Sequence, residues 1–336
     1  MVPFRVSAIR NRSRGLQRRL WGVSSKRIGD STNLEALSYG MTIPVSCDFN
    51  SDLRRVLLTK LDKLGYSIGN ETNADAVLVS FLNVCMLRIW PHPRSVRWSS
   101  SLESRKQALP SDLLRPIEKI AEASVRGADL NSYLSRALVR DKKVAAIDFQ
   151  FNDWGMKHLH LGESFESPGV IKGTPELLFI IERPTTIYFI EVGTHKDWAK
   201  QELFEIVVRE WPELFECWRF RGVTGLEYGN PTAGLRKKLR SAKITTPTQT
   251  SDGAVYSATG GGQLTNGCNL HVRIKADSML ERINALEEAY RGNGSKIASL
   301  IAEKTGQTVA ELCLELVDLD NFEPVIIEIQ TGIRLC

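Results

Sequence analysis

Three of the five histidines of this chain lie in one stretch, at His158, His160 and His195. Residues two apart on a strand share one face, so His158 and His160 would point together, with Lys157 and Leu159 on the opposite face. Metal-free cleavage of RNA needs a neutral imidazole that takes the proton of the ribose 2′-OH and a protonated one that delivers a proton to the departing 5′ oxygen. The spacing therefore predicts a ribonuclease-type site built from these three histidines.

His195 is predicted to lie at the first turn of a helix. It follows an apolar strand at 187–192, and Thr194 with Asp197 fits a capping box. A helix N-terminus offers unpaired N–H donors and a positive potential, which bind an anion and favour the neutral imidazole. The pattern thus predicts a phosphate next to His195.

Positive charges must stabilise the phosphorane that forms during such a cleavage. Lys157 and Lys196 are adjacent to the histidines and complete the predicted catalytic set, and Arg183 is a further cation nearby. The structural alternative is that the His-x-His pair is hydrogen-bonded within a sheet and that His195 is a surface residue.

The histidines also fit a metal-dependent hydrolase, because His-x-His with a third histidine is a metal-ligand pattern. Asp153, Glu191, Asp197 or Cys217 could complete such a site. A second metal-dependent version pairs Glu191 with Asp153 or Glu176 and with Lys196, as in restriction-type nucleases. There the lysine lies two residues after the acid, whereas Lys196 lies five after Glu191. No spacing fixes a ligand set, so we assign neither a metal nor a cofactor.

A basic and aromatic segment at 88–106 is a candidate surface for single-stranded RNA. Basic groups can neutralise phosphates while indole rings stack on unpaired bases. The alternative is an exposed loop in which arginine and tryptophan pack on each other without a ligand. The predicted RNA-binding residues are Arg88, Trp90, Arg94, Arg97, Trp98 and Arg183.

Positioning these residues requires a sheet, and the pattern of the chain predicts an α+β protein. Short apolar runs at 144–151, 158–161, 177–181 and 187–192 predict an antiparallel sheet, and helical spacing after 194 predicts a flanking helix. The N-terminal and C-terminal regions are predicted as α/β or α+β, with a buried strand at 74–87, a strand at 263–274 and a helix from Asp277. The predicted parts are 1–30, 31–142, 143–221, 222–252 and 253–336, of which 222–252 is a linker or long loop.

Charge and composition narrow the possible classes further. Residues 1–30 hold eight basic residues and one acid, whereas the whole chain has 44 basic and 39 acidic residues. We expect these residues to form a disordered arm, which is a transit peptide, a nucleic-acid-binding arm or an early start. The six cysteines form no CxxC pair, which favours reduced thiols in a cytoplasmic protein. No stretch predicts a membrane span, and no phosphate-binding glycine motif occurs.

The apolar run 177–181, a short turn, the run 187–192 and then Gly193-Thr194-His195-Lys196 together resemble the core hairpin of RelE-like toxins. Those toxins are similar to barnase, the EndoU enzymes and the tRNA-cleaving colicins, which are small metal-free ribonucleases. The resemblance covers about residues 144–215 and implies RNA cleavage and often an antitoxin partner. RelE-like members usually rely on Lys, Arg and Tyr, while the histidines here are closer to the EndoU style.

These observations together predict a metal-independent ribonuclease that acts as a toxin or defence effector. RNA is the expected partner, with an antitoxin or another protein as a second one. Two alternatives stay open. One is a nucleic-acid-binding or protein-interaction module without catalysis, and the other is a metal-dependent hydrolase or nuclease that uses the three histidines.

Overall fold

The computed structural model describes residues 43–69, 73–167 and 169–335. Helices and several mixed or antiparallel sheets make this an α+β fold, so the predicted fold class is confirmed. The α-helices are α1 (Phe49–Lys63), α2 (Ala74–Leu87), α3 (Ser100–Arg105), α4 (Ser111–Arg126), α5 (Arg136–Val139), α6 (Phe149–Trp154), α7 (Gln201–Glu210), α8 (Ala233–Ser241), α9 (Leu270–Gly292) and α10 (Gly294–Thr305). The strands are β1 (Val45–Ser46), β2 (Ser95–Trp98), β3 (Lys157–His160), β4 (Phe165–Ser167), β5 (Val170–Ile171), β6 (Glu176–Glu182), β7 (Thr186–Thr194), β8 (Arg219–Thr224), β9 (Thr248–Gln249), β10 (Ala254–Tyr256), β11 (Leu312–Asp320) and β12 (Glu323–Glu328).

A four-stranded sheet with the order β2-β7-β6-β3 lies at the centre of the fold. Strand β6 is antiparallel to both β3 and β7. Strands β3 and β7 therefore run in the same direction, and their C-terminal ends lie at the same end of the sheet. Strand β2 is parallel to β7 and forms the edge opposite β3. Smaller sheets have the orders β1-β11-β12, β8-β10-β9 and β4-β5.

Each face of the central sheet covers its own hydrophobic cluster, because successive side chains of a strand alternate between the faces. Leu178 and Ile180 of β6 lie in a cluster shared with α1, α2, α4, α9 and the C-terminal strands. Phe179 and Ile181 lie in the other cluster, with α7 and Trp154. The strands of the sheet are therefore buried on both sides, as their nearly continuous apolar sequence requires.

The predicted buried strand at 74–87 is wrong, because this segment forms helix α2. The side chain of Asn73 accepts a hydrogen bond from the backbone N–H of Asp75 and begins the helix. An apolar run does not by itself distinguish a buried strand from a helix that is buried nearly all round. Tertiary packing on both sides of α2 decides the outcome here.

Two predicted strands near the histidines and the C-terminal helix are also wrong. The strand predicted at 144–151 is a loop followed by α6, which Asp148 begins by accepting from Phe151 N and which Gly155 ends at φ 70°. The strand predicted at 263–274 contains the start of α9 at Leu270. This helix begins at Asn269, whose side chain accepts from His271 N, rather than at Asp277. In both helices a short polar residue before an apolar one supplies the N-cap.

The region 222–252, predicted as a linker or long loop, is ordered around α8 and β9. Its glycines and threonines suggested a loop, but α8 buries Arg236 and Arg240, each with 1% exposure. The periodicity of apolar residues in the sequence does not indicate a helix that is held by buried ion pairs. The domain boundaries at 31, 143 and 253 stay predictions.

The predicted basic arm, residues 1–30, lies outside the described residues. Across 43–69, 73–167 and 169–335, the structure has no helix with the length and apolar character that crossing a membrane requires.

Candidate active site

The three predicted catalytic histidines come together in the structure. The ring centroids lie 6.0 Å apart for His158 and His160, 5.9 Å for His158 and His195, and 5.4 Å for His160 and His195. A group bound between these rings would contact more than one of them.

The sheet register explains this convergence. His158 pairs with Phe179 and His160 with Leu177, so both imidazoles share the face of the cluster around Phe179. Leu177 in turn pairs with Gly193 of β7. The C-terminal ends of β3 and β7 lie at the same end of the sheet. The turn that follows β7 therefore brings His195 beside His160.

The predicted position of His195 on a helix is wrong. Thr194 N and its hydroxyl both donate to Asp197 Oδ2, at 2.7 and 2.9 Å, as a capping box would. These bonds close only a turn, because Lys200 is extended and α7 begins at Gln201. His195 is therefore an exposed residue of the turn between β7 and α7.

The histidines differ in burial and therefore in how readily they are protonated. Burial lowers the pKa of His160 to about 4, with further lowering by the charges of His158, His195 and Arg136. Burial also lowers the pKa of His195, and the charge of His158 adds to this effect. The cause is desolvation and a like charge, not a helix dipole. Both rings are biased toward the neutral form.

Asp148 is a site residue that the sequence reasoning missed. Its Oδ2 lies 3.9 Å from His158 Nδ1, too far for a hydrogen bond but close enough to balance a positive charge. Its Oδ1 accepts from Phe151 N at 2.9 Å, so the residue is fixed as the N-cap of α6. Aspartate at 148 and glycine at 155 have the spacing of the two caps of a short helix, and this pattern could have indicated the position of Asp148.

An open cavity of about 310 Å³ lies against the cluster. Its lining includes His158, His195, Asp148, Gln150, Phe149, Trp198 and apolar side chains from 87, 134–138, 146–147 and 177. The volume is at the lower end of sites for small ligands, about 300–1,000 Å³.

Of the two predicted catalytic lysines, only Lys196 has no ion-pair partner among the residues that the structure describes. Lys157 is buried, and its Nζ donates to Glu182 Oε2 at 2.7 Å and to Arg88 O at 2.8 Å. Lys196 is exposed next to His195, and its carbonyl accepts from Lys237 Nζ. The charge of Lys157 is therefore balanced by Glu182.

Arg136 is a cation near the cluster that the sequence reasoning missed. A Cβ added to Gly173 would lie 3.2 Å from Arg136 Nη2 and 3.8 Å from His160 Nδ1, so this glycine allows the two groups to approach. Arg136 also pairs with Glu166. The residues around Arg136 in the sequence do not indicate this role, because its approach to His160 joins segments that are distant in the sequence.

The predicted RNA-binding residues lie on and around β2, at the edge of the sheet opposite His158 and His160. Three strand spacings, roughly 14 Å, separate β2 from β3. Arg94 is buried and donates to Glu182 Oε1 at 2.7 Å, to Trp90 O at 2.9 Å and to Arg183 O at 3.2 Å. The exposed positions are Arg97 and Trp90, which is 42% exposed, while Arg88, Trp98 and Arg183 are half-buried.

Within the described ranges, no three His, Cys, Asp or Glu side chains are arranged to hold a metal ion. Three of the acids considered as ligands have other partners. Asp153 pairs with Arg240, Glu191 with Arg105 and Asp197 with Lys200.

Comparison of the chain with protein-family models, with curated proteins and with solved structures gives no match.

Proposed function

We propose that this protein is a metal-independent ribonuclease. The observation that supports this most directly is the convergence of three imidazoles, with centroids 5.4 to 6.0 Å apart, two of which, those of His158 and His195, line an open cavity. Desolvation lowers the pKa of His160 and of His195, which biases both rings toward the neutral form that a general base needs. A base and an acid on opposite sides of one phosphate are the groups that this reaction needs.

His195 acts as the general base in this proposal, because it is exposed and its pKa is lowered. It removes the proton of a ribose 2′-OH, and the 2′ oxygen attacks the neighbouring phosphorus. His158 protonates the departing 5′ oxygen, so the products are a 2′,3′-cyclic phosphate and a 5′-OH. Asp148, 3.9 Å from His158 Nδ1, balances the charge of the protonated ring. His160 stays neutral and positions its neighbours.

In this proposal two cations stabilise the phosphorane, although one of them, Arg136, also pairs with Glu166. Lys196 is exposed beside the base, and Arg136 approaches His160 across Gly173. Charge that is already fixed near a developing anion lowers the barrier without reorganisation. This role makes Lys196 and Arg136 positioning and electrostatic residues.

We further propose a cytoplasmic role as a toxin or defence effector, with an antitoxin or another protein as a partner. The support for this role is the resemblance of β6, β7 and the following turn to the core hairpin of RelE-like toxins. It is independent of the geometry of the histidines.

Purified protein incubated with mixed RNA, with and without EDTA, tests the proposed reaction. We expect cleavage that persists in EDTA and leaves 2′,3′-cyclic phosphate ends. A double variant, His158→Ala with His195→Ala, should be inactive, whereas His92→Ala outside the cluster should cleave like the wild type. Activity that disappears with EDTA would support the metal-dependent alternative. Intact RNA with a mobility shift would support the binding module.

A further inference from the structure

A buried carboxamide whose oxygen has no hydrogen-bond partner in the described part of the chain lies next to the histidine cluster. Gln150 of α6 is 1% exposed and lines the same cavity as His158 and His195. Its Oε1 has no hydrogen-bond partner among the described residues, and Nε2 has only Met156 Sδ, at 3.9 Å. The acceptor of this side chain therefore has no partner in the described part of the chain, and its donor has only a weak one.

Stability does not explain a glutamine at this position. A buried polar group without partners costs folding free energy, and an apolar side chain of similar shape would remove that cost. Buried polar groups that lack protein partners are often kept for recognition, because a ligand then supplies the missing hydrogen bonds.

The remaining walls of the cavity suit a flat, mostly apolar group. Apolar side chains from 87, 134–138, 146–147 and 177 form about half of its lining, which also includes the polar side chains of Ser135 and Lys157. Phe149 and Trp198 form an aromatic wall, with ring centroids 6.5 Å apart and an interplanar angle of 23°. Apolar walls with one or two polar groups are typical of sites that bind a planar heterocycle.

We propose that this cavity is a nucleobase subsite and that the carboxamide of Gln150 reads the edge of the base beside the scissile phosphate. This inference rests on the proposed ribonuclease function and names its substrate as single-stranded RNA. A base must leave its stack and its pair to enter a cavity, which single strands and loops allow. A carboxamide offers one donor and one acceptor side by side, which matches base edges that present both.

Cleavage of a single-stranded RNA pool, randomised around one ribonucleotide in an otherwise deoxy strand, tests the subsite. Sequencing of the products gives the preference at each flanking position. We expect the wild type to favour one base at one flanking position by about 5- to 100-fold, the scale of one bidentate base contact. In Gln150→Leu, cleavage of the favoured sequence should fall to that of the others, within about twofold.

Gln150→Glu is a second variant, because it keeps one acceptor oxygen and replaces the amide donor with a second oxygen. It should change which base is favoured rather than only weaken the preference. Gln307→Leu, at an exposed site after α10, is the matched control and should cleave with the wild-type preference. The melting temperature of Gln150→Leu should equal or exceed that of the wild type, since no protein hydrogen bond to Oε1 is lost.

The outcomes separate this inference from the ribonuclease proposal. Absence of RNA cleavage by the wild type would overturn the proposed function. Wild-type cleavage without a base preference would overturn only the subsite. A base preference that is retained in both Gln150 variants would also overturn only the subsite. A lower melting temperature with an unchanged base preference would show that Gln150 has a structural role.

Discussion

At the scale of single residues, environment separates three histidines of the same type into different states. His160 is the most strongly affected, with a pKa of about 4, while His195 is exposed and shifted less. His158 differs from both in having a carboxylate, that of Asp148, beside its ring. Pairs of titratable groups in unlike environments are how acid and base roles are divided.

The substitution His195→Ala should reduce kcat by about 10²- to 10⁴-fold, the usual effect of losing a general acid or base. The free energy of unfolding should change little, because the side chain is exposed. His158→Ala should slow the reaction comparably, and the double variant should lose much less than the product of the two effects. Steady-state kinetics on a single RNA substrate and urea unfolding measure both quantities. Full activity of His195→Ala would remove it from the mechanism.

The substitution Asp148→Asn isolates the charge beside His158. Asparagine is as good an N-cap as aspartate, so α6 and the stability of the protein should be preserved. Loss of the negative charge should lower kcat by roughly tenfold, because the protonated acid is less well stabilised at about 4 Å. KM should change little if Asp148 does not contact the substrate. An Asp148→Asn enzyme with wild-type kcat would show that the carboxylate has only a capping role.

At the scale of elements, helix α8 shows how an apparent loop is fixed by charge. Arg240 Nε donates to Asp153 Oδ2 at 2.7 Å, and its Nη1 donates to Trp198 O at 2.9 Å. Arg236 lies over the Trp154 ring, 5.0 Å from its centroid, and burial lowers its pKa to about 10. These contacts attach α8 to α6 and to the turn that carries His195.

The substitution Asp153→Ala should lower the free energy of unfolding by about 3–5 kcal/mol, because it leaves two buried guanidinium groups without a carboxylate. Glu122→Ala is a control at an ion pair whose two side chains are 69% exposed, and it should have little effect. Urea unfolding at neutral pH compares the two variants. A loss for Asp153→Ala as small as that of the control would mean that the buried charges do not hold α8 in place.

At the scale of the whole molecule, the histidine cluster links the stability of the fold to pH. The unfolded His160 ring binds a proton near pH 6.5, whereas the folded ring does so only near pH 4. Between these values the unfolded state holds more protons, so the free energy of unfolding falls as the pH falls. The lowered pKa of His195 acts in the same direction.

The variant His160→Asn should therefore lose less stability than the wild type between pH 6.5 and pH 4. Above pH 6.5 this contribution of the wild-type ring is fully present. Urea unfolding of the two proteins at several pH values measures the difference. Identical pH dependence of His160→Asn and the wild type would contradict the low pKa of this ring.

Several features followed from the sequence because they depend on local geometry. The two-residue spacing of His158 and His160 put both rings on one face of β3, and the alternation of the strand put Lys157 on the other. The apolar runs in β6 and β7 predicted the hairpin. In each case the period of the backbone is enough to specify the outcome.

Other features were decided only by tertiary structure. The apolar sequence of α2 is compatible with a strand or a helix, and packing on both sides selected the helix. His195 lies next to His160 because the C-terminal ends of β3 and β7 are at the same end of one sheet. Asp148 and Gln150 join the site through the position of α6, which the sequence pattern had assigned to a strand. Sequence spacing specifies which residues share a face, but contacts between distant segments depend on how the elements pack, and packing is a property of the whole chain.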